Sequence, residues 1–138
     1  MLIDELKNIA RNNGIVGAGG AGFPAYAKMT EKADTVILNC VECEPLLKLH
    51  RQLLATHTEE IIQMLDEVRE SFGAKEAVIG IKSEYVTTIK AIEEVIGDFP
   101  NVRICALKAA YPMGDEVVLI YEATGRVIKP GGLPIDEN

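Results

Sequence analysis

Asp34-Thr-Val-Ile-Leu-Asn39 is a short apolar run, rich in β-branched residues, and its composition predicts a buried β-strand. Two further runs of the same kind follow, at 77–81 and 102–107. Longer segments with helical spacing of apolar residues separate the three runs. This alternation predicts right-handed crossovers and a mainly parallel sheet flanked by helices. The sequence therefore indicates a three-layer α/β fold.

The segments around the strands predict the helices and their ends. A helical pattern covers 46–72 and is broken near Thr58, which we expect to cap the second half. Ser83 is expected to cap the next helix, and Gly114-Asp-Glu116 to open the last one. A first helix covers 2–9. The glycines expected to end these helices are Gly14, Gly73, Gly97 and Gly125.

Composition excludes several classes of protein. The chain has 138 residues, 48% of them hydrophobic, which suits one globular domain. Its net charge of −7 argues against binding to a nucleic-acid backbone. No apolar run approaches the roughly 20 residues that span a bilayer, and charged residues interrupt the first 15 positions, unlike a signal peptide. Three cysteines form no disulfide framework, so we expect a cytoplasmic protein.

A glycine-rich segment, Gly14-Ile-Val-Gly-Ala-Gly-Gly-Ala-Gly-Phe-Pro24, has five glycines in nine residues. Positions 17–22 satisfy G-x-G-x-x-G, and Glu42 follows roughly 20 residues later, as in dinucleotide-binding proteins. However, Phe23-Pro24 interrupts the helix that should follow. Two interpretations stay open: a loop whose backbone N–H groups face a flat ring or a phosphate, or a tight turn packed against the sheet.

Acidic loops follow the first and third strands. Glu42 and Glu44 lie in the loop after the first strand, and Asp115 and Glu116 lie after the third. Ligands of parallel sheets collect beyond the carboxyl ends of the strands. We therefore expect these two clusters to face a floor formed by the glycine loop.

Cys40-Val-Glu-Cys43 raises two further hypotheses. A zinc site needs four ligands, and the residues that remain, Cys105, His50 and His57, have no recognised spacing. A redox pair is conceivable at the end of a strand, but neighbouring glutamates raise thiol pKa values and disfavour reactivity. Buried or incidental thiols are the alternative. We predict neither a metal site nor a catalytic side chain.

Four blocks of sequence resemble one family in the same order. Gly17-Ala-Gly-Gly-Ala-Gly-Phe-Pro24, with Lys28, resembles the glycine-rich loop of the flavin subunit of respiratory complex I, and resembles RnfC, a component of the Rnf electron-transport complex, even more closely. Asn39-Cys-Val-Glu-Cys-Glu-Pro45 is similar to the "ECEP" loop of the RnfC proteins. Tyr111-Pro-Met-Gly-Asp-Glu116 and Gly131-Gly-Leu-Pro134 match the later blocks.

The resemblance implies a Rossmann-like domain that holds FMN, receives hydride from NADH and passes electrons towards iron–sulfur centres elsewhere. The backbone of Gly17, Gly19 and Gly20 would line the isoalloxazine and phosphate region, and Lys28 would neutralise the FMN phosphate. Asn39 and Glu42 would hydrogen-bond to the flavin or its ribityl chain. Glu44 would contact the nicotinamide nucleotide, and Phe23 would stack on the ring of that nucleotide. The far side of the site would be closed by Gly114, Asp115 and Glu116.

The resemblance also has consequences for the whole protein. The flavin proteins of complex I carry Arg where this chain has Ala18, and Asp where it has Val41, so the Rnf branch is favoured. Family members continue into an SLBB domain and iron–sulfur cysteines. We therefore expect residues 1–138 to be one domain of a longer NADH dehydrogenase-like protein that meets other electron-transfer subunits at the inner face of the membrane. A cofactor-free docking scaffold of the same fold is the alternative.

Overall fold

The computed structural model of the chain describes residues 1–17, 20–44 and 46–137. Within that part, three parallel strands form one sheet in the order β1-β2-β3. The strands are β1 (Thr35–Asn39), β2 (Glu76–Lys82) and β3 (Val102–Leu107). All three predicted strands are confirmed, each to within one residue at its ends.

The helices also follow the predicted order. The α-helices of the described residues are α1 (Ile3–Asn12), α2 (Leu49–Thr56), α3 (Thr58–Phe72), α4 (Val86–Val95) and α5 (Glu116–Thr124). Gly73 and Gly125 end α3 and α5 with left-handed φ angles of 68° and 75°, as expected. Gly97 does not stop α4 in this way, because it lies in a 3₁₀ turn, Ile96–Asp98, that prolongs the helix.

Two predicted helix caps are wrong. The Thr58 hydroxyl donates to the carbonyl of Leu54 at 2.7 Å, so it ties α3 back to α2 and does not cap α3. Ser83 does not cap α4, which begins only at Val86. The reason is that the Ser83 N–H donates to the carbonyl of Leu107 at 2.8 Å, which extends the β2–β3 pairing past the end of β2.

Helices cover both faces of the sheet. One face packs on α2, α3 and α4 through a buried apolar cluster that includes Leu54, Ile62, Ile79 and Ile92. The other face packs on α5, where Leu119 meets Val41 and Leu107. A Cβ atom on Gly80 would lie 2.6 Å from Leu119 Cδ1, so glycine in the central strand lets α5 approach closely. The three-layer α/β prediction is confirmed.

Ion pairs hold the amino-terminal edge of the sheet. Arg126, which follows α5, contacts Asp34 at 2.6 Å, and Arg103 in β3 contacts Glu76 in β2 at 2.8 Å. Arg103 also donates to the carbonyl of Ala123 at 2.7 Å. These contacts tie the starts of the strands to the end of α5. The polar loops at the opposite, carboxyl edge are thus separate from this structural cluster.

Candidate functional site

The loops that leave β1 and β3 meet at the carboxyl edge of the sheet. Asn39 Nδ2 donates to the carbonyl of Gly114 at 3.0 Å, and Asn39 Oδ1 accepts from the Val41 N–H at 3.0 Å. A single side chain therefore fixes the first loop and joins it to the second. The structure confirms that the two acidic loops converge, although the resemblance gave Asn39 a ligand contact and not this bridge.

Gly114 is enclosed by the first loop. A Cβ atom at this position would overlap the carbonyl oxygen of Val41 and would lie 2.6 Å from Cys43 Sγ. The two loops are therefore packed backbone against backbone, which only glycine allows.

The acidic side chains of the second loop have different roles. Asp115 precedes α5 and caps it, because its carboxylate accepts from the N–H groups of Val117 at 3.0 Å and Val118 at 3.4 Å. Glu116, the first residue of α5, is exposed. The predicted helix start at 114–116 is confirmed, and of this acidic pair Asp115 already has backbone partners.

Glu42 is buried, with 5% of its surface exposed. Its Oε1 accepts from the backbone N–H of His50 at 2.9 Å, at the start of α2, where the helix dipole favours a negative charge. Its Oε2 lies 4.0 Å from Arg51 Nε and has no hydrogen-bond partner among the described residues. Burying a carboxylate oxygen without a hydrogen-bond donor costs free energy, so Glu42 Oε2 is a vacant hydrogen-bond acceptor.

Arg51 connects the surroundings of Glu42 to the loop between β2 and α4. Its guanidinium lies 4.5 Å from the centroid of the Tyr85 ring, and its carbonyl accepts from the Thr88 hydroxyl at 3.1 Å. Neither Arg51 nor Tyr85 is predicted from the sequence. The available signal is weak, because an arginine nine positions after a buried glutamate has no recognised spacing.

Glu44 and the two histidines lie on the surface. Glu44 is exposed, and its side chain has no hydrogen bond or ion pair among the described residues. His50 and His57 are both exposed, and His57 lies 3.7 Å from Glu60. Glu44 is thus open to a ligand from solvent, and both histidines are surface side chains.

The glycine-rich segment forms a loop closed at its base. Val16 and Pro24 make an isolated antiparallel bridge, and the Gly17 N–H donates to the carbonyl of Phe23 at 3.0 Å. Gly22 needs glycine because its φ is +68°. Gly20 lies within the closed loop, whereas Gly19 lies outside the described residues.

Gly17 and Gly20 have room for a side chain. A Cβ atom on Gly17 would come no closer than 3.8 Å to the backbone of Phe23, and one on Gly20 would lie 4.0 Å from the Gly17 carbonyl. Neither residue has a left-handed φ. Nothing among the described residues therefore requires glycine at these two positions.

Phe23 and Lys28 lie beside this loop. Lys28 ends a 3₁₀ turn, Ala25–Lys28, and its Nζ lies 5.2 Å from the centroid of the Phe23 ring. Among the described residues, the hydrogen bonds of 14–29 stay within this segment or run to the end of α1. The described residues therefore provide no hydrogen bond for the expected contact between the glycine loop and the two acidic loops.

The surroundings of the cysteines disfavour a reactive pair. Burial, followed by the charge of Glu42, raises the pKa of the Cys40 thiol to about 12. Cys43 is exposed, and Cys105 is partly buried with a raised thiol pKa, mainly because of burial.

In the part of the chain that the structure describes, no three His, Cys, Asp or Glu side chains group as metal ligands do. None of the helices within the described ranges could span a lipid bilayer.

Known proteins with similar sequences belong to redox systems. The cobalamin reductase PduS of Citrobacter freundii is 38% identical over 94% of this chain and 28% of its own length. The C component of the Na⁺-translocating ferredoxin:NAD⁺ oxidoreductase complex of Acetobacterium woodii is 35% identical over 96% of this chain and 31% of its own. The chain thus spans less than a third of these relatives.

Solved structures share the fold. A chain of an NAD⁺-reducing NiFe-hydrogenase in the air-oxidised state superposes with a TM-score of 0.75 at 25% identity, covering 94% of this chain and 25% of that one. The family described as the Nuo51 FMN-binding domain matches residues 10–138. Because this match covers nearly the whole chain, the protein belongs to the Nuo51 FMN-binding domain family.

Proposed function

We propose that this chain is the FMN- and NADH-binding domain of an electron-transfer flavoprotein of the RnfC type. The observation that carries the proposal is the exposed backbone at Gly17 and Gly20. Both positions have space for a side chain and an ordinary φ, yet both are glycine. A surface without side chains lets a flat ring or a phosphate approach backbone N–H groups.

Two other glycines provide the contrast. Gly80 and Gly114 are explained by packing inside the protein, against Leu119 and against Val41 respectively. In the part of the chain that the structure describes, no such internal contact explains Gly17 and Gly20. Gly97 is equally open but is a single glycine in a helical turn, whereas Gly17 and Gly20 share one exposed loop beside the cation Lys28. This combination favours a loop that receives a ligand over a tight turn packed against the sheet.

The side chains present fit FMN chemically. Lys28 is an exposed cation without an ion pair among the described residues, as a phosphate partner requires. The Oε2 atom of Glu42 can accept a hydrogen bond from a ribityl hydroxyl or a ring N–H. When bound, FMN supplies the redox chemistry, since it accepts hydride and releases electrons singly. The residues of the chain bind and orient it and set the local charge.

The nucleotide and the partners follow from the same proposal. Exposed Glu44 and half-exposed Phe23 are available to a nicotinamide nucleotide, the first as a hydrogen-bond acceptor and the second as a stacking surface. The relatives bear the names of a reductase and of components of redox complexes, and the shared segment makes up 28% and 31% of two of them. This supports residues 1–138 as one domain of a larger redox protein. From the family resemblance we infer that it passes electrons to SLBB and iron–sulfur domains and to other electron-transfer proteins.

A titration with FMN, followed through backbone amide NMR shifts, tests the proposal. We expect saturable shifts within 17–28, 39–44 and 114–116. Gly20→Val should abolish them because its side chain would occupy the ligand surface. Gly97→Val is the matched control, since Gly97 is exposed and a Cβ there meets nothing within 4 Å.

The outcomes separate the two candidate functions. If Gly20→Val keeps the thermal stability of the wild type and loses FMN while Gly97→Val retains it, the flavin site is supported. Unchanged FMN affinity in folded Gly20→Val contradicts the site. No saturable binding by the folded wild type favours the cofactor-free docking scaffold.

A further inference from the structure

Arg51 lies beside the buried carboxylate of Glu42 without forming a hydrogen bond to it. Its Nε is 4.0 Å from Glu42 Oε2, close enough for an ion pair but beyond hydrogen-bond distance. The side chain of Glu42 is only 3% exposed, whereas that of Arg51 is 30% exposed. Arg51 therefore brings a positive charge to Glu42 and leaves the Oε2 atom open to another hydrogen-bond donor.

Two contacts hold Arg51 in this position. Its guanidinium lies 4.5 Å from the centroid of the Tyr85 ring, and its carbonyl accepts from the Thr88 hydroxyl at 3.1 Å. Tyr85 is only 7% exposed, so the ring that the guanidinium contacts is itself packed in the core. Both contacts connect Arg51 to the region where α4 begins, and they favour the observed distance from Glu42 over a direct hydrogen bond.

We propose that Arg51 is a positioning residue of the flavin site: it stabilises the buried Glu42 carboxylate in place, so that Oε2 is available to accept a hydrogen bond from the flavin. This inference rests on the proposed function, which gives Glu42 a contact with the flavin ring or its ribityl chain. It adds that Arg51 acts through Glu42 and does not itself bind the phosphate.

The charge balance around Glu42 favours this role. A buried carboxylate costs free energy unless opposite charges or hydrogen-bond donors compensate it. Among the described residues Glu42 has two such partners, the His50 N–H at 2.9 Å and the guanidinium of Arg51. Lys82 Nζ lies 5.9 Å from the Tyr85 ring but forms no ion pair with Glu42 in that part of the chain. Without Arg51 the His50 N–H would be left as the partner, and the carboxylate would be held less firmly.

Amide hydrogen exchange at His50 tests the arrangement without any flavin. Arg51→Met removes the positive charge and keeps an unbranched side chain that suits a helix. We expect the His50 amide to exchange several-fold faster in Arg51→Met, and Arg51→Lys, which keeps the charge, to restore most of the protection. Lys90→Met is the matched control, because Lys90 is exposed on α4 and has no ion pair among the described residues. Thermal unfolding of each variant shows that the differences belong to folded protein.

Binding of FMN is then compared with binding of riboflavin, which lacks the phosphate. Because Arg51 acts on the Glu42 contact and not on the phosphate, Arg51→Met should weaken both ligands by the same factor, roughly tenfold. In a Glu42→Gln background the carboxylate is already gone, so Arg51→Met should change either affinity by less than about twofold. Arg51→Lys and Lys90→Met should bind both ligands nearly as the wild type does.

Three results would overturn the role of Arg51. They are equal exchange of the His50 amide in wild type and Arg51→Met, a loss of affinity confined to FMN, which would assign Arg51 to the phosphate, and fully additive losses in the Glu42→Gln, Arg51→Met double variant. If riboflavin binds too weakly to measure, the double variant with FMN decides. If the folded wild type shows no saturable FMN binding, the proposed function fails, whereas unchanged His50 exchange contradicts the positioning of Glu42 by Arg51 alone.

Discussion

The side-chain amide of Asn39 holds the carbonyl of Gly114 at 3.0 Å, across 75 residues of sequence. The same amide accepts the Val41 N–H through its oxygen. Both hydrogen-bonding ends of one side chain are therefore used to build a single unit from the loops after β1 and β3. The predictions below test this unit, the thiols beside it and the ion pair at the opposite edge of the sheet.

Removal of the Asn39 bridge should loosen both loops. Asn39→Ala loses both hydrogen bonds, and Asn39→Asp keeps the acceptor but turns a carboxylate oxygen towards the Gly114 carbonyl. We expect each variant to lower the free energy of unfolding in urea by about 1–2 kcal/mol. Hydrogen exchange at the Val41 amide should accelerate. Asn8→Ala is the control, because Asn8 is exposed and its side chain has no hydrogen bond among the described residues.

A methyl group at Gly114 should force the loops apart. Gly114→Ala would overlap the Val41 carbonyl and crowd Cys43 Sγ, so we expect a loss of about 1–3 kcal/mol in thermal unfolding. Gly97→Ala, where the added methyl meets nothing within 4 Å, should be neutral or slightly stabilising. Equal melting temperatures for Gly114→Ala and Gly97→Ala would contradict this, because they would show that the two loops can move apart without loss of stability.

The Asp34–Arg126 pair should make stability depend on pH in acid. The hydrogen bond from Arg126 is the main reason why the pKa of Asp34 falls from 3.8 to about 2. Because the folded pKa is depressed, the stabilisation is complete above pH 3.8 and is lost as the pH falls to about 2.

Asp34→Asn should therefore destabilise the chain by about 1 kcal/mol at neutral pH and flatten its acid unfolding curve. Urea denaturation at a series of pH values measures both effects. Asp98→Asn, an exposed carboxylate without an ion pair among the described residues, is the control. A wild-type slope in Asp34→Asn would assign the acid dependence to other groups, such as Glu76, whose pKa is lowered mainly by its hydrogen bond to Arg103.

The thiols should differ in reactivity. Iodoacetamide at pH 7.5 is expected to modify exposed Cys43 and to leave buried Cys40 unmodified, because the pKa of the Cys40 thiol is about 12. Mass spectrometry of peptides after timed quenching measures the two rates. Comparable rates, or rapid formation of a Cys40–Cys43 disulfide in mild oxidant, would revive the dithiol hypothesis.

The sequence predicts the strands well and the helix starts less well. Each strand is a compact β-branched run, and burial in a parallel sheet reinforces that preference. Helix starts depend on competing hydrogen bonds. The Ser83 N–H pairs with Leu107, a strand away, and Thr58 donates to the preceding helix, so the capping preference of these residues is overridden.

The proposed site shows the same limit. The glycine, Asn-Cys-Val-Glu and Gly-Asp-Glu blocks indicate which residues to propose for it, but not the contacts that those residues make within the protein. Asn39 meets Gly114 far along the chain, and the carboxylate of Glu42 turns inward to the start of α2. Gly80, in the middle of β2, is a sequence signal for the close approach of α5. Glycine weakens the interior of a strand and often marks a place where another element packs closely.

The enclosure of Gly114 by Val41 and Cys43 has a consequence for protein engineering. Neither loop can be exchanged alone, because the backbone of each packs directly against the backbone of the other. A chimera that imports only 39–44 from a relative would bring new side chains against an unchanged Gly114 backbone. Grafts that move 39–44 together with 111–116 should keep the fit, so the two segments form the smallest unit that recombination can exchange.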